Sequence, residues 1–263
     1  MKIRGAEIAI EEFGSGVNVI WGHGLTQSRA LENQRPLITL SSLDARVLRY
    51  DARGHGDSES TSDLNGYGWD ELAEDQLTLA TALGIGRYVA AGASMGAATA
   101  LHAAVISPER VVGLVLVIPP TGWETRAEQT SVYEQSASLI ETVGVERVVA
   151  VGSLITPPDP FVDDAEFYAR RAEGLYSWNP SRLAHVMRGA TRAQLPTRQQ
   201  IASIRCPTLI LAWTGDPGHP IGTAAELSRL IPHATVHVDS TAAAVDRWTA
   251  HVADFLDELG QTD

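Results

Sequence analysis

The sequence predicts a doubly wound α/β architecture, a mainly parallel sheet with helices on both faces and a helical insertion late in the chain. Three observations point there. Six short apolar runs recur along the 263 residues, stretches of helical periodicity separate them, and one long segment, residues 119–197, breaks the alternation.

Lys2 to Arg4 and Glu7 to Glu12 alternate like short antiparallel strands, and Gly14-Ser15-Gly16 divides this expected edge hairpin from the rest. Val17-Asn18-Val19-Ile20-Trp21 has the pattern of a buried strand and runs into the tight loop Gly22-His23-Gly24. Arg46 to Tyr50 repeats that pattern before Asp51-Ala52-Arg53-Gly54-His55-Gly56-Asp57-Ser58. Next, Trp69, Leu72, Ala73, Gln76, Ala80 and Leu83 fall on one helical face, and Gly84 and Gly86 end the helix. Tyr88 to Ala91 is the third strand. Val111 to Ile118 and Thr208 to Trp213 are the most apolar runs, and Thr235 to Val238 is a shorter last one. Val245, Trp248, Val252, Phe255, Leu256 and Leu259 mark a final helix.

Residues 119–197 show helical periodicity around Tyr133 to Ile140, Val145 to Leu154, Phe167 to Ala172 and Leu183 to Met187, without a buried strand. They are expected to form a helical cap inserted into a core made of residues 1–118 and 198–263. Pro157-Pro158-Asp159-Pro160 punctuates the cap. Its aromatic residues Trp123, Tyr133, Tyr168, Tyr176 and Trp178 can face a substrate or hold the cap together, and packing is the commoner use of such side chains.

Composition narrows the function classes. A formal charge of −12 repels polyphosphate backbones and anionic membrane surfaces, so nucleic acid and membrane are not expected partners. The single cysteine, Cys206, has no internal partner and is expected to be a buried core thiol. The N-terminus turns acidic at once, without the apolar stretch of a secretory leader, which predicts a cytoplasmic protein. The Ala- and Gly-rich stretch Val89 to Ile106 is interrupted by Ser94, Thr99 and His102 and is a poor membrane span. No zinc-ligand spacing and no Gly-x-Gly-x-x-Gly fingerprint occurs, so neither metal nor organic cofactor is expected.

The motif that carries chemistry is Gly92-Ala93-Ser94-Met95-Gly96, a Gly-x-Ser-x-Gly sequence that follows a predicted strand and opens an Ala-rich helix. That context puts Ser94 on a strained strand-to-helix turn, with flanking glycines that let neighbouring backbone pass. Unpaired amides at the helix start then face developing negative charge. Met95 is expected to supply one oxyanion amide, and Leu25, in the His23-Gly24-Leu25-Thr26 loop, the other. His23 is expected to shape this loop structurally.

With these motifs, the Asp51-x-Arg53-Gly54-His55-Gly56-x-Ser58 turn and Thr208-Leu209-Ile210-Leu211 leading to Gly215-Asp216, the chain resembles the α/β-hydrolase superfamily over nearly its whole length. It looks like the small capped members that act as esterases or lactonases. The resemblance implies the α/β-hydrolase fold, a structural role for His55, and a catalytic acid after the penultimate strand. Asp216 occupies that place, whereas the other known location, after Val111 to Ile118, holds Pro119-Pro120.

The family's base would follow the last strand, but that loop reads Asp239-Ser240-Thr241-Ala242-Ala243-Ala244, without histidine. His233, His237 and His251 stand in positions typical of packing or surface residues, His251 being expected near the C-terminal half of the last helix; His102 is read likewise. His219, in Asp216-Pro217-Gly218-His219-Pro220, shares the loop of the presumed acid and is the candidate base, or else a loop residue that lines the pocket or caps the helix starting near Ile221. Three explanations stand side by side: the base has moved to His219; the chain is a non-hydrolytic relative; or a residue among Ser240 to Ala244 replaces a histidine. The leading expectation is a serine hydrolase of a small, largely uncharged ester or lactone. A silent ligand-binding protein and a lyase- or isomerase-type enzyme are the alternatives.

Overall fold

Strands buried on both faces read as continuous apolar runs, and the computed structural model, which describes residues 1–260, sets five such runs side by side, with a sixth, more exposed strand along one edge. The nine strands are β1 (Lys2–Ile3), β2 (Ala6–Glu7), β3 (Ile10–Phe13), β4 (Val17–Gly22), β5 (Ala45–Tyr50), β6 (Tyr88–Ala93), β7 (Val111–Val117), β8 (Thr208–Trp213) and β9 (Ala234–Asp239). The main sheet has the order β3-β5-β4-β6-β7-β8-β9, parallel from β5 to β9, with β3 antiparallel on one edge.

The expected N-terminal hairpin is corrected. Among the described residues β1 pairs only with β2, through a turn in which Arg4 (φ 42°) and Gly5 (φ 88°) both have positive φ, as a type I′ hairpin turn requires. Ile10–Phe13 leaves that hairpin and joins the main sheet instead. Glu11 and Glu12 stay exposed there, as suits an edge strand.

Side chains alternate along each strand between two cores. Ile20, Leu48, Ala90, Leu114, Leu116 and Ile210 enter one, shared with α2 (Trp69–Ala82) and α3 (Met95–Ile106). Val19, Val47, Val89, Val115, Leu209 and Leu211 enter the other, closed by Trp248, Val252 and Leu256. Acidic Asp70 and Glu71 in the first turn of α2 complement its helix dipole, and Gly84 (φ 69°) follows its end.

The remaining helices are α1 (Arg29–Gln34), α4 (Arg126–Val143), α5 (Val145–Gly152), α6 (Phe167–Tyr176), α7 (Pro180–Ala190), α8 (Arg198–Ile201), α9 (Ile221–Leu230), α10 (Ala242–Val245) and α11 (Trp248–Gly260). α4 to α7 form the inserted cap between β7 and β8, around a third cluster that includes Ala137, Ile140, Leu175, Leu183 and Met187. The predicted final helix is interrupted after Val245, so His251 stands near the start of α11 and not in a C-terminal half. Residues 261–263, the end of the expected core segment, lie outside the described residues.

Arg126 ties parts of the cap to one another and leans on a core ring, and Arg182 bolts the cap to the core. Arg126 is fully buried and spans Ala190 O (2.6 Å), Ala193 O (2.8 Å) and Thr121 Oγ1 (3.3 Å), with its guanidinium 4.2 Å from the Trp69 ring centroid. Arg182 donates to the carbonyls of Gly56 (3.2 Å) and Ser58 (2.6 Å). Among the described residues, no helix is long and apolar enough to cross a membrane.

Candidate active site

One residue, Ser94, joins β6 to α3, at φ 52° and ψ −108°. A non-glycine residue held there stores of the order of 1–3 kcal/mol. Close backbone packing enforces it. A β-carbon on Gly96 would overlap the carbonyl of Gly22, and one on Gly92 would lie 2.5 Å from the same oxygen. These glycines let the end of β4 press against the elbow, which brings the loop after β4 beside Ser94. The Ser94 N–H donates to Val117 O at 2.9 Å and the Ser94 carbonyl accepts from Ala98 N–H at 3.0 Å, so the turn is tied to β7 and to α3. Met95 opens α3, where amides have no acceptor within the helix.

The loop after β4 runs beside the serine: a β-carbon on Gly24 would lie 3.8 Å from that of Ser94, and Leu25 follows. Two buried imidazoles hold this loop from below. Ala52 N–H donates to His23 Nε2 at 3.0 Å, so the His23 proton sits on Nδ1, which donates to Gly24 O at 2.8 Å. His55 Nε2 lies 2.8 Å from Leu25 O and its Nδ1 2.9 Å from Arg53 O. Burial, and then the neighbouring His23, push the His55 imidazolium down to about 3. The neutral ring has one N–H, which one of the two carbonyls takes. Both histidines bond to backbone. Close by, the Trp21 indole N–H donates to Glu32 Oε2 at 2.9 Å. The Glu32 side chain is half-buried, but its carboxyl end is enclosed, and burial raises it to about 7 against the pull of Trp21 and Arg49.

Across from this loop, the turn after β8 carries two expected groups together. His219 Nδ1 lies 2.8 Å from Asp216 Oδ2, and His219 Nε2 lies 2.8 Å from Ser94 Oγ. Asp216 also accepts the Trp213 indole N–H (2.8 Å, Oδ2) and the Gly218 amide (2.9 Å, Oδ1). Burial pushes its carboxyl up, but the bonds from His219, Trp213 and Gly218 outweigh that and hold it at about 2. The ionised carboxylate fixes the imidazole with its proton on Nδ1 and its Nε2 lone pair toward the serine. The Trp213 ring lies edge-on to that of His219, centroids 6.4 Å apart, and stacks on Trp248 at 5.7 Å.

The loop after β9 has other work. Thr241 Oγ1 caps α10 by accepting from Ala244 N–H (3.3 Å), and Asp239 accepts the Trp248 indole N–H at 2.7 Å. His237 and His251 stack on each other, centroids 4.1 Å apart, and His102 Nε2 lies 2.8 Å from Gln194 O. Cys206 is a half-buried free thiol that burial raises to about 11.

Several supporting residues carry no signal in the sequence because their contacts join distant segments. Thr121 N–H donates to Gly218 O at 3.2 Å. Asp159 accepts from the Thr214 hydroxyl at 2.5 Å, while its N–H donates to Thr214 O at 3.0 Å. Trp178 Nε1 donates to Thr26 O at 3.2 Å. Among the described residues, no group of three or more His, Cys, Asp or Glu side chains could hold a metal ion.

The chain is similar to known proteins over most of its length. A family model described as the alpha/beta hydrolase family matches residues 19–258. The 3-oxoadipate enol-lactonase 1 of Acinetobacter baylyi is 27% identical over 190 residues, which cover 70% of this chain and 66% of that protein. A thermophilic esterase from Thermogutta terrifontis superposes with a TM-score of 0.81 at 22% identity, covering 98% of this chain and 96% of its own. The enol-lactonase from Burkholderia xenovorans LB400 also gives 0.81 at 22% identity, over 97% and 98% of the two chains. At that identity these structures share the fold with this chain.

Proposed function

The chain belongs to the alpha/beta hydrolase family, and from that premise we propose that it is a serine hydrolase of small esters or lactones working through an acyl-enzyme on Ser94. One observation carries the reading: His219 bridges Ser94 Oγ and the Asp216 carboxylate at 2.8 Å on each side, the arrangement that activates a serine.

In this mechanism His219 Nε2 takes the hydroxyl proton as Ser94 Oγ bonds to the acyl carbon. The carbonyl oxygen becomes an oxyanion held by the Leu25 and Met95 amides. As the C–O bond to the leaving group breaks, His219 returns the proton to that oxygen. Water, deprotonated by the same imidazole, then attacks the acyl carbon and frees Ser94 with release of a carboxylic acid. Asp216 stays ionised and stabilises the imidazolium. Residues 1–118 and 198–263 serve as the catalytic core and 119–197 as the cap over it. A lactone or ester substrate accords with the enol-lactonases and the esterase this chain resembles. A cytoplasmic location belongs to the same reading, supported by a single cysteine with no internal partner. The silent alternative rested on a missing base, and an imidazole at Ser94 weighs against it; the resemblance to esterases and enol-lactonases favours hydrolysis over a lyase- or isomerase-type reaction.

The test is time-resolved intact-mass labelling with a fluorophosphonate, alongside hydrolysis of a short activated ester, for wild type, Ser94→Ala and His219→Ala. Wild-type labelling that vanishes in the first variant and falls by several orders of magnitude in the second is expected. Labelling and hydrolysis indifferent to both substitutions would sink the mechanism.

A further inference from the structure

We propose that Trp178, a residue of the cap, is a positioning residue for the oxyanion loop of the core, acting through its single indole N–H on the Thr26 carbonyl. This rests on the hydrolase reading given above and extends it to a side chain that does not touch the reacting atoms.

The argument starts from the rigidity of the peptide unit. A carbonyl and the N–H that follows it lie in one plane and point in opposite directions, so holding the oxygen aims the hydrogen. In the loop after β4, three successive carbonyls each face a ring nitrogen: Gly24 O faces His23 Nδ1 (2.8 Å), Leu25 O faces His55 Nε2 (2.8 Å), and Thr26 O faces Trp178 Nε1 (3.2 Å). Indole nitrogen is a donor only, so the third contact has one possible sense. Fixing Thr26 O aims the N–H of Gln27, which donates back to Gly24 O at 3.0 Å. Gly24 O shares its peptide plane with the Leu25 N–H, the proposed oxyanion donor. A bond made in the cap is thus passed through two peptide planes to the amide that faces developing charge.

Trp178 is itself well anchored. It precedes Asn179, whose side chain caps α7 by accepting from Arg182 N–H at 3.1 Å, with Pro180 at the first helical position. Its ring packs on the cluster containing Leu183, four residues into the helix, in the manner of a hydrophobic staple. The ring also meets His55 edge-on, centroids 5.3 Å apart. Two core imidazoles line the loop and one cap indole donates to it.

The deciding experiment compares wild type with Trp178→Phe, which keeps the edge contact and the staple and loses the N–H. A second protein carries benzothienylalanine at position 178, a near-isosteric ring with sulfur in place of N–H, in case phenylalanine perturbs folding. Two readouts are taken: steady-state hydrolysis of a short activated ester, and amide hydrogen exchange of the peptide spanning residues 22–28. Both variants are expected to lose about tenfold to a hundredfold in kcat with KM nearly unchanged, less than deletion of an oxyanion donor costs. Exchange in residues 22–28 is expected to accelerate while that of α3 does not. Unchanged exchange in that peptide, or unchanged kcat in an active protein, would overturn the proposal. A wild type that neither hydrolyses ester nor labels at Ser94 defeats the hydrolase reading, and the exchange readout still decides whether Trp178 orders the loop.

Discussion

Asp216 and His219 stand three residues apart on one turn and are joined Oδ2 to Nδ1 at 2.8 Å, so the presumed acid and base move as a single body. Trp213, at the end of β8, and Gly218, on the turn, donate two further hydrogen bonds to the carboxylate.

Substituting Asp216 by Asn is expected to lower kcat by about 10⁴, because the amide favours the wrong imidazole tautomer. The same variant has a stability signature. A carboxyl held at about 2, against an ordinary 3.8, stabilises the folded state above pH 4, and that contribution fades as pH falls through 2. Urea titrations should find wild type more stable than Asp216→Asn by on the order of 2 kcal/mol at pH 5, with the gap narrowing toward pH 2. A gap independent of pH would contradict this.

Glu32 has the opposite sign. Its carboxyl is raised to about 7 from 4.5, so the folded state holds a proton that the unfolded chain has released between those values. Stability from this group is fully present below pH 4.5 and is lost as pH rises through 7. Replacing Glu32 by Gln, which keeps an acceptor for Trp21, should flatten the profile. Wild type is expected to lose about 2 kcal/mol relative to the variant between pH 5 and 8. Thermal melts across that range, showing parallel curves for the two proteins, would refute the assignment.

At Gly96 the constraint is steric. A methyl group there meets the Gly22 carbonyl and must drive β4 away from α3. Gly96→Ala is expected to cost about 1–3 kcal/mol and to abolish ester hydrolysis, since the Gly24–Leu25 peptide moves with β4. Retention of full kcat would show that the elbow tolerates the separation.

What was legible in the sequence followed burial. Five strands enclosed on both faces announce themselves as apolar runs, and the elbow does so because glycines are obligatory where β4 touches α3. β3 was misplaced because Glu11 and Glu12 dilute its alternation on an exposed edge. α1, with no buried residue, and the four-residue α8 offer no apolar stripe to read. The proposed base was half legible. Proximity in sequence tied His219 to Asp216, but nothing in the chain said that this turn reaches a serine 125 residues earlier. The contacts of Asp159 and Trp178 with the catalytic loops were invisible for the same reason.

Trp213 is, finally, a native optical probe. Its indole donates to the carboxylate of Asp216, lies edge-on to His219 and stacks on Trp248. An imidazolium draws electrons from an excited indole and quenches it, whereas a neutral imidazole does so far less. A change of charge at His219 is therefore expected in the share of the ultraviolet emission that Trp213, one of six tryptophans, contributes, and the difference between wild type and Trp213→Phe reads it without a substrate or a label.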